Sequence, residues 1–218
     1  MKIAIISDTH DNLATLEKAV DWINKNGIEE IIHCGDICSP YTLQELSKKF
    51  SGVKPRGGHA PLRGKIHLVF GNVDPVVEFR QGFPLENPKP RSEPKFHYRV
   101  DGDIFGISQQ KTAGELPNVI LYGEIGEMEV DAKRIAFAHH PKIAKLLAQS
   151  GKYDLVFYGH THQPMEEKIG NCRLINPGNL SNMLYKATFA VYNTENDELE
   201  LKVLEKLEGD TDMQMSRG

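Results

Sequence analysis

The chain has 218 residues, 39% hydrophobic and 26% charged, the balance of an ordinary globular domain and far from collagen, coiled-coil or disordered sequence. Lys and Arg number 26 against 30 Asp and Glu, a formal net charge of −4, so there is no broad cationic field to hold a polyanion and nucleic acid is not an expected partner. No run reaches the ~18–20 apolar residues of a membrane helix, and the odd, sparse set Cys34, Cys38 and Cys172 fits a reducing compartment, so a cytoplasmic protein without a membrane partner is expected.

In chain order, Lys2–Ile6 is a short apolar run, the pattern of a strand buried on both faces. Leu13, Leu16, Val20 and Ile23 then recur at helical spacing, with Asp11 or Asn12 as N-cap and Gly27 just past the end. The unit repeats: Glu30–Cys34 reads as a strand, Gly35-Asp36 as a loop, and Ser39-Pro40 as the start of a helix running to about Phe50. Two such units predict a parallel sheet and an α/β fold. Residues 51–64 read as a glycine-rich loop carrying Arg56 and Arg63, followed by a strand over Ile66–Phe70 that runs into Gly71-Asn72. From Pro75 to about Gly114 the text is irregular, and Pro84, Pro88, Pro90 and Pro94 argue for a surface excursion.

Beyond it, Gly126–Val130 and Arg134–Ala138 flank a turn and predict a hairpin that ends at His139-His140-Pro141. Lys142–Ser150 reads as a helix, and Asp154–Tyr158 as a strand stopping at Gly159-His160-Thr161-His162. Segments 164–168, 172–175, 186–192 and 198–206 read as short strands joined by polar turns, among them Asn176-Pro177-Gly178. Residues 208–218 form a polar tail expected to be disordered, which leaves 1–207 as a single domain.

The chemistry collects at strand ends. Every apolar strand placed in the first 165 residues ends in a metal-capable cluster: Asp8-Thr9-His10, Gly35-Asp36, Gly71-Asn72-Val73-Asp74, His139-His140 and Gly159-His160-Thr161-His162. In an open α/β sheet the carboxyl ends of the strands share one edge, so these distant positions are expected to meet. Asp, Asn and His offer oxygen and imidazole donors, a set suited to Mn, Fe, Zn or Ni. Singly, each cluster has a plain structural reading: Asp8 and Asp36 could cap the helices that follow, and Gly71-Asn72 is a common turn pair. His160 and His162 are harder to explain that way, because two nearby imidazoles repel when charged and sit well around a cation.

In order and in strand-end context, Asp8-x-His10, Gly35-Asp36, Gly71-Asn72-x-Asp74, His139 and Gly159-His160-x-His162 resemble the motifs of the calcineurin-like metallophosphoesterase superfamily. The short chain and the Asn-x-Asp form of the third motif resemble its small YfcE-type phosphodiesterase group, and the likeness covers residues 1 to about 206. It implies a four-layer αββα sandwich and two divalent metal ions, manganese foremost, with zinc, iron or nickel as the other candidates. Carried over by position, it implies that Asp8, His10 and His162 hold one ion, that Asn72, His139 and His160 hold the other, and that Asp36 bridges them. The implied activity is hydrolysis of a small phosphate ester, in particular a diester, by in-line attack of a metal-bridging hydroxide. Elementary chemistry agrees, since two cations ~3.5–4 Å apart can clamp phosphate oxygens and acidify a shared water.

Two departures stand out. Many larger members of the superfamily follow the motif asparagine with a histidine; here it is Val73, which carries no proton for a leaving alkoxide and so favours esters with good leaving groups. The fourth motif reads His139-His140-Pro141, with His139 assigned as the ligand and His140 as facing substrate. Asp74 is expected to orient Asn72 or a histidine. His33, His59, His67 and His97 read as ordinary histidines, Arg56 and Arg63 as a solvated loop, and Cys34 as a buried hydrophobe. The alternative is a non-catalytic scaffold on the same fold, against which the full ligand set speaks; exposed sheet edges are compatible with a homodimer.

Overall fold

A computed structural model describes residues 1–52, 64–75, 111–113 and 116–207. The first strand, β1 (Lys2–Ile6), is buried from Ile3 onward, because alternate side chains enter two different cores. Ala4 and Ile6 point to the helices α1 (Leu13–Lys25) and α2 (Pro40–Lys49), while Ile3 and Ile5 point to a second sheet. The doubly buried run read from the sequence therefore has a physical cause: its sheet is covered on both faces.

Asn12 caps α1 by accepting from the Thr15 N–H. Gly27, at φ +66°, ends it: its N–H bonds the Asn24 carbonyl and the Ile28 N–H reaches back to Ile23, the two reversed bonds of a Schellman motif. Ser39 caps α2 with Pro40 in the first turn.

β1, β2 (Glu30–His33), β3 (Lys65–Leu68) and β5 (Leu116–Leu121) run parallel in the first sheet. β4 (Lys111–Ala113), β11 (Thr188–Asn193) and β12 (Glu198–Val203) extend it with antiparallel pairings, in the order β12-β11-β1-β2-β3-β5-β4. The second sheet takes β6 (Ile125–Val130), β7 (Lys133–Ala138), β8 (Leu155–Phe157), β10 (Cys172–Asn176) and β9 (Met165–Ile169), in that order. Ile135, Phe137, Leu155, Phe157 and Ile175 face the first sheet, while Ala136, Val156 and Leu174 face α3 (Pro141–Gln149). Helices, sheet, sheet and helix thus make the four layers of an αββα sandwich, as expected.

The hairpin forms with Asp131 and Ala132 both at positive φ, a two-residue turn that matches strand twist. Two segments differ from expectation. β5 has no clear strand signal in the sequence, because Pro117 and Asn118 interrupt its apolar run, yet it pairs β3 and Asn118 is buried against Ser47. The run 198–206 does not stay extended: after Val203 the chain turns into a single helical turn, α4 (Leu204–Leu207), with Leu204 buried and its N–H bonded to Ala187. The end of the proline-rich excursion also differs, since it forms β4 against β5 where an irregular surface segment is expected; Arg56, Arg63, His59, His97, residues 76–110 and the tail 208–218 lie outside the described residues. No helix among the described residues is long and apolar enough to cross a membrane.

His67 is not an isolated strand histidine. Its Nε2 lies 3.2 Å from Glu30 Oε2 and its Nδ1 2.8 Å from the Tyr122 hydroxyl, all on the inner face of the first sheet. Burial pushes the Glu30 carboxyl up, but the hydrogen bond and charge of His67 outweigh it and hold the group below its ordinary value. A carboxylate with a depressed folded pKa stabilises the fold above its unfolded pKa and loses that contribution as pH falls through the folded value. Glu30→Gln is therefore expected to be less stable than the wild type from about pH 7 down to about pH 4.5, with a gap that narrows from there toward about pH 3. Urea unfolding across that range checks it, and a gap independent of pH would contradict the assignment.

Candidate metal centre

The carboxyl ends of β1, β2 and β3 in one sheet, and of β7 and β8 in the other, bring Asp8, His10, Asp36, Asn72, His139, His160 and His162 together. Their meeting requires backbone that a regular strand or helix does not supply. Asp8, His10, Asp36, His160 and His162 all have left-handed φ, between +45° and +71°. Each such non-glycine residue costs about 1–2 kcal/mol, strain that persists only where surrounding contacts impose it. Backbone bonds do so here: Asp8 N–H to Gly35, His10 N–H to Asp36, and Ser181 N–H to Asp8. Glycines permit the close approach. A Cβ on Gly71 would lie 2.0 Å from Asp36 Oδ1, and one on Gly159 would lie 2.0 Å from Ser7 Oγ and 2.6 Å from Asp8 Oδ2.

Two groups result, with one oxygen between them. In the first, His10 Nε2 and His162 Nε2 are 3.2 Å apart, and Asp8 Oδ1 lies 3.3 Å from the latter. In the second, Asn72 Oδ1 is 2.9 Å from both His139 Nε2 and His160 Nδ1, which are 3.2 Å from each other. Asp36 Oδ2 lies 3.6 Å from His10 Nε2 and 3.4 Å from His139 Nε2. The two groups meet at this single atom, since Asp36 Oδ1 accepts the Val73 N–H. His160 and His162, two residues apart, go to opposite groups.

The donor set fits cations. His139 Nδ1 lies 2.9 Å from the Cys34 carbonyl, so it carries the proton there and Nε2 of the neutral ring presents a lone pair. That lone pair faces oxygens of Asn72 and Asp36 and the Nδ1 of His160, an arrangement that suits a metal ion. Electrostatics follow the same geometry. Burial depresses His139, but the Asp36 hydrogen bond and charge outweigh it and raise its pKa, whereas the Asp8 hydrogen bond lifts His162. For His10, burial outweighs the pull of Asp36 and Asp8 and lowers it. Asp36 itself is pushed up by burial and, more strongly, held down by His139, the Val73 N–H and His10.

Asp74 differs from expectation. Its carboxylate does not orient Asn72 or a histidine; it is buried and accepts the N–H groups of Asp36 (2.9 Å), Cys38 (2.7 Å) and Gly71 (2.7 Å). It ties the loop after β2 to the loop after β3, and burial pushes it up to about 6 against those three donors. His140 begins α3 without capping it, and its ring packs edge-on to His139 and His160 with centroids 5.1 and 4.8 Å away. Burial and those neighbours depress its pKa.

His33, read from the sequence as an ordinary histidine, and Asn176, of the Asn176-Pro177-Gly178 turn that resembles a structural turn of the family, brace the centre. His33 Nδ1 accepts the Gly35 N–H, so Nε2 donates to Thr9 Oγ1, a neutral brace between two loops, with burial holding its pKa down to about 3. Asn176 binds the Gly159 carbonyl and Thr161 Oγ1, which fixes the turn beneath His160.

Comparison with known proteins identifies the family. A family model described as the calcineurin-like phosphoesterase superfamily domain matches residues 1–197. The chain is 29% identical to phosphodiesterase MJ0936 of Methanocaldococcus jannaschii over 94% of its own length and 100% of that protein's. It is 22% identical to phosphodiesterase YfcE of Escherichia coli, with 83% of this chain and 80% of YfcE covered. A solved structure of an archaeal phosphodiesterase superposes with a TM-score of 0.68 at 25% identity, covering 93% of this chain and 99% of the other.

The packing at Gly71 yields a direct expectation. Gly71→Ala drives a methyl group into Asp36, so manganese affinity should fall about 10–100-fold while stability falls by about 1–3 kcal/mol. Calorimetric titration together with urea unfolding measures both, and native affinity in this variant would refute the contact.

Proposed function

The chain belongs to the calcineurin-like phosphoesterase superfamily, and on that premise we propose that it is a phosphodiesterase dependent on two divalent metal ions, manganese foremost. The observation that carries the reading is Asp36 Oδ2, which lies within 3.6 Å of an imidazole nitrogen of each group and so stands where a bridging carboxylate belongs. Asp8, His10 and His162 would hold one ion, Asn72, His139 and His160 the other. Such a pair of ions acidifies water and neutralises phosphate oxygens.

The remaining chemistry falls to the protein. Asp36 and Asp8 supply negative charge that offsets the repulsion between two cations, and the neutral Asn72 amide leaves its ion more electrophilic. His140 stands beside His139 and His160 with a half-buried ring, suited to donating a hydrogen bond to a phosphate oxygen of the substrate. Asp74 keeps the Asp36 and Gly71 loops in register. Val73 carries no proton, so the leaving alkoxide takes one from water or from another residue, which suits diesters of acidic alcohols.

Hydrolysis of bis(4-nitrophenyl) phosphate is expected to disappear on chelation and return with Mn²⁺. Asp36→Ala should lower kcat/KM by about 10³-fold, the loss of several kcal/mol of transition-state stabilisation; turnover that survives both treatments would end the proposal. Turnover discriminates a non-catalytic scaffold, which would hydrolyse no phosphate ester with any divalent ion added. His140→Ala should retain its metal and raise KM more than it lowers kcat, and an unchanged KM would remove His140 from the substrate site.

A further inference from the structure

Seven large hydrophobic side chains are exposed among the described residues, and three of them are consecutive: Met183 at 54%, Leu184 at 89% and Tyr185 at 44%. They form the tip of the connection between β10 and β11. The tip is built into the same frame as the metal centre. Leu180 and Ser181 donate their N–H groups to the Ser7 and Asp8 carbonyls, and the Asn12 side chain donates to Ser181. Asn179 Nδ2 donates to the His162 carbonyl at 3.0 Å, and the Met183 backbone borders the His162 ring.

The tip is also tied by its own hydrogen bonds. Ser181 Oγ donates to Asn179 Oδ1 and accepts the Met183 N–H, and Asn182 Oδ1 accepts the Ala187 N–H. Leu184 has φ +64°, and across it the Tyr185 N–H bonds the Met183 carbonyl at 2.7 Å. A two-residue bond spanning a left-handed centre is a rare, strained γ-turn, and leucine is a poor occupant of it. The sequence therefore spends backbone strain to hold a leucine in solvent at the edge of a reactive centre, where strain of this kind tends to be stored for function.

The apolar Val73 follows Asn72, with its N–H on Asp36 Oδ1. Apolar side chains beside a polar core are the composition of a small-molecule site, in which polar groups orient and apolar groups select. We propose that Met183, Leu184 and Tyr185 are the specificity element of this centre and take an apolar or aromatic arm of the phosphate ester, an inference that rests on the phosphodiesterase reading above.

The test holds the leaving group constant. Methyl 4-nitrophenyl phosphate and phenyl 4-nitrophenyl phosphate differ only in the retained arm, and the wild type with Mn²⁺ is expected to show a KM about tenfold lower for the phenyl ester. Leu184→Gly suits the left-handed backbone and so should fold, but it should bring the two KM values to within about twofold. Leu184→Met should keep most of the preference, which a purely structural role does not predict. Calorimetric binding of phenylphosphonate against methylphosphonate repeats the comparison without turnover. Hydrolysis of both esters with equal KM overturns this proposal and leaves the phosphodiesterase reading standing. Selective, Leu184-dependent phosphonate binding without hydrolysis does the reverse. A change in molar mass by light scattering in Leu184→Gly would assign the tip to contacts between copies of the chain and overturn the proposal too.

Discussion

Too many lone pairs in too small a space is the constraint on which the rest of this structure depends. One carboxylate oxygen, Asp36 Oδ2, lies within 3.6 Å of imidazole nitrogens on both sides, and an amide oxygen, Asn72 Oδ1, stands 2.9 Å from two more. Nothing about acceptor atoms draws them together in water. They are held by covalent and hydrogen-bonded surroundings, and divalent cations are the species that such a set binds well. The left-handed backbone at Asp8, His10, Asp36, His160 and His162 follows from that requirement, as do the bare backbone at Gly71 and Gly159 and the three N–H groups gathered by Asp74.

The two-sheet architecture supplies what strain of this kind needs. Strands of both sheets end at one edge, and the His139 ring reaches the Cys34 carbonyl across the gap between them. Behind the edge, Ile3, Ile5, Ile32, Phe137, Phe157 and Tyr192 fill the space between the sheets and are fully buried. Apolar burial of that extent, at about 25 cal/mol per Å², offsets several strained residues. The loops can adopt costly conformations because the strands beneath them cannot move.

Around the centre sit Val73, His140 and the Met183-Leu184-Tyr185 tip. Val73 puts an apolar side chain next to Asn72, His140 packs an imidazole beside the second group, and the Met183-Leu184-Tyr185 tip stands exposed on the loop tied to the first. Under the proposed function, selection among esters would fall to these flanking side chains, because groups beside a reactive centre and not the fold itself decide what it accepts.

The sequence by itself determined the parts governed by local rules. Apolar runs and caps placed β1, α1, β2 and α2, the Asp131-Ala132 hairpin followed from its flanking strands, and the strand-end clusters named every donor that the structure brings together, because carboxyl ends of parallel strands must share an edge. Local rules failed where a neighbour decides. Pro117 hides β5, which exists because β3 offers it a partner; Leu204 turns helical because burial and the Ala187 carbonyl reward it. Asp74 lies two residues from Asn72 in sequence, yet its oxygens go to backbone donors on two loops, and the sequence holds no record of where backbone N–H groups point. Nor could it tell that Met183, Leu184 and Tyr185 stand in solvent, since a hydrophobic triplet reads as core until the tertiary structure leaves it uncovered.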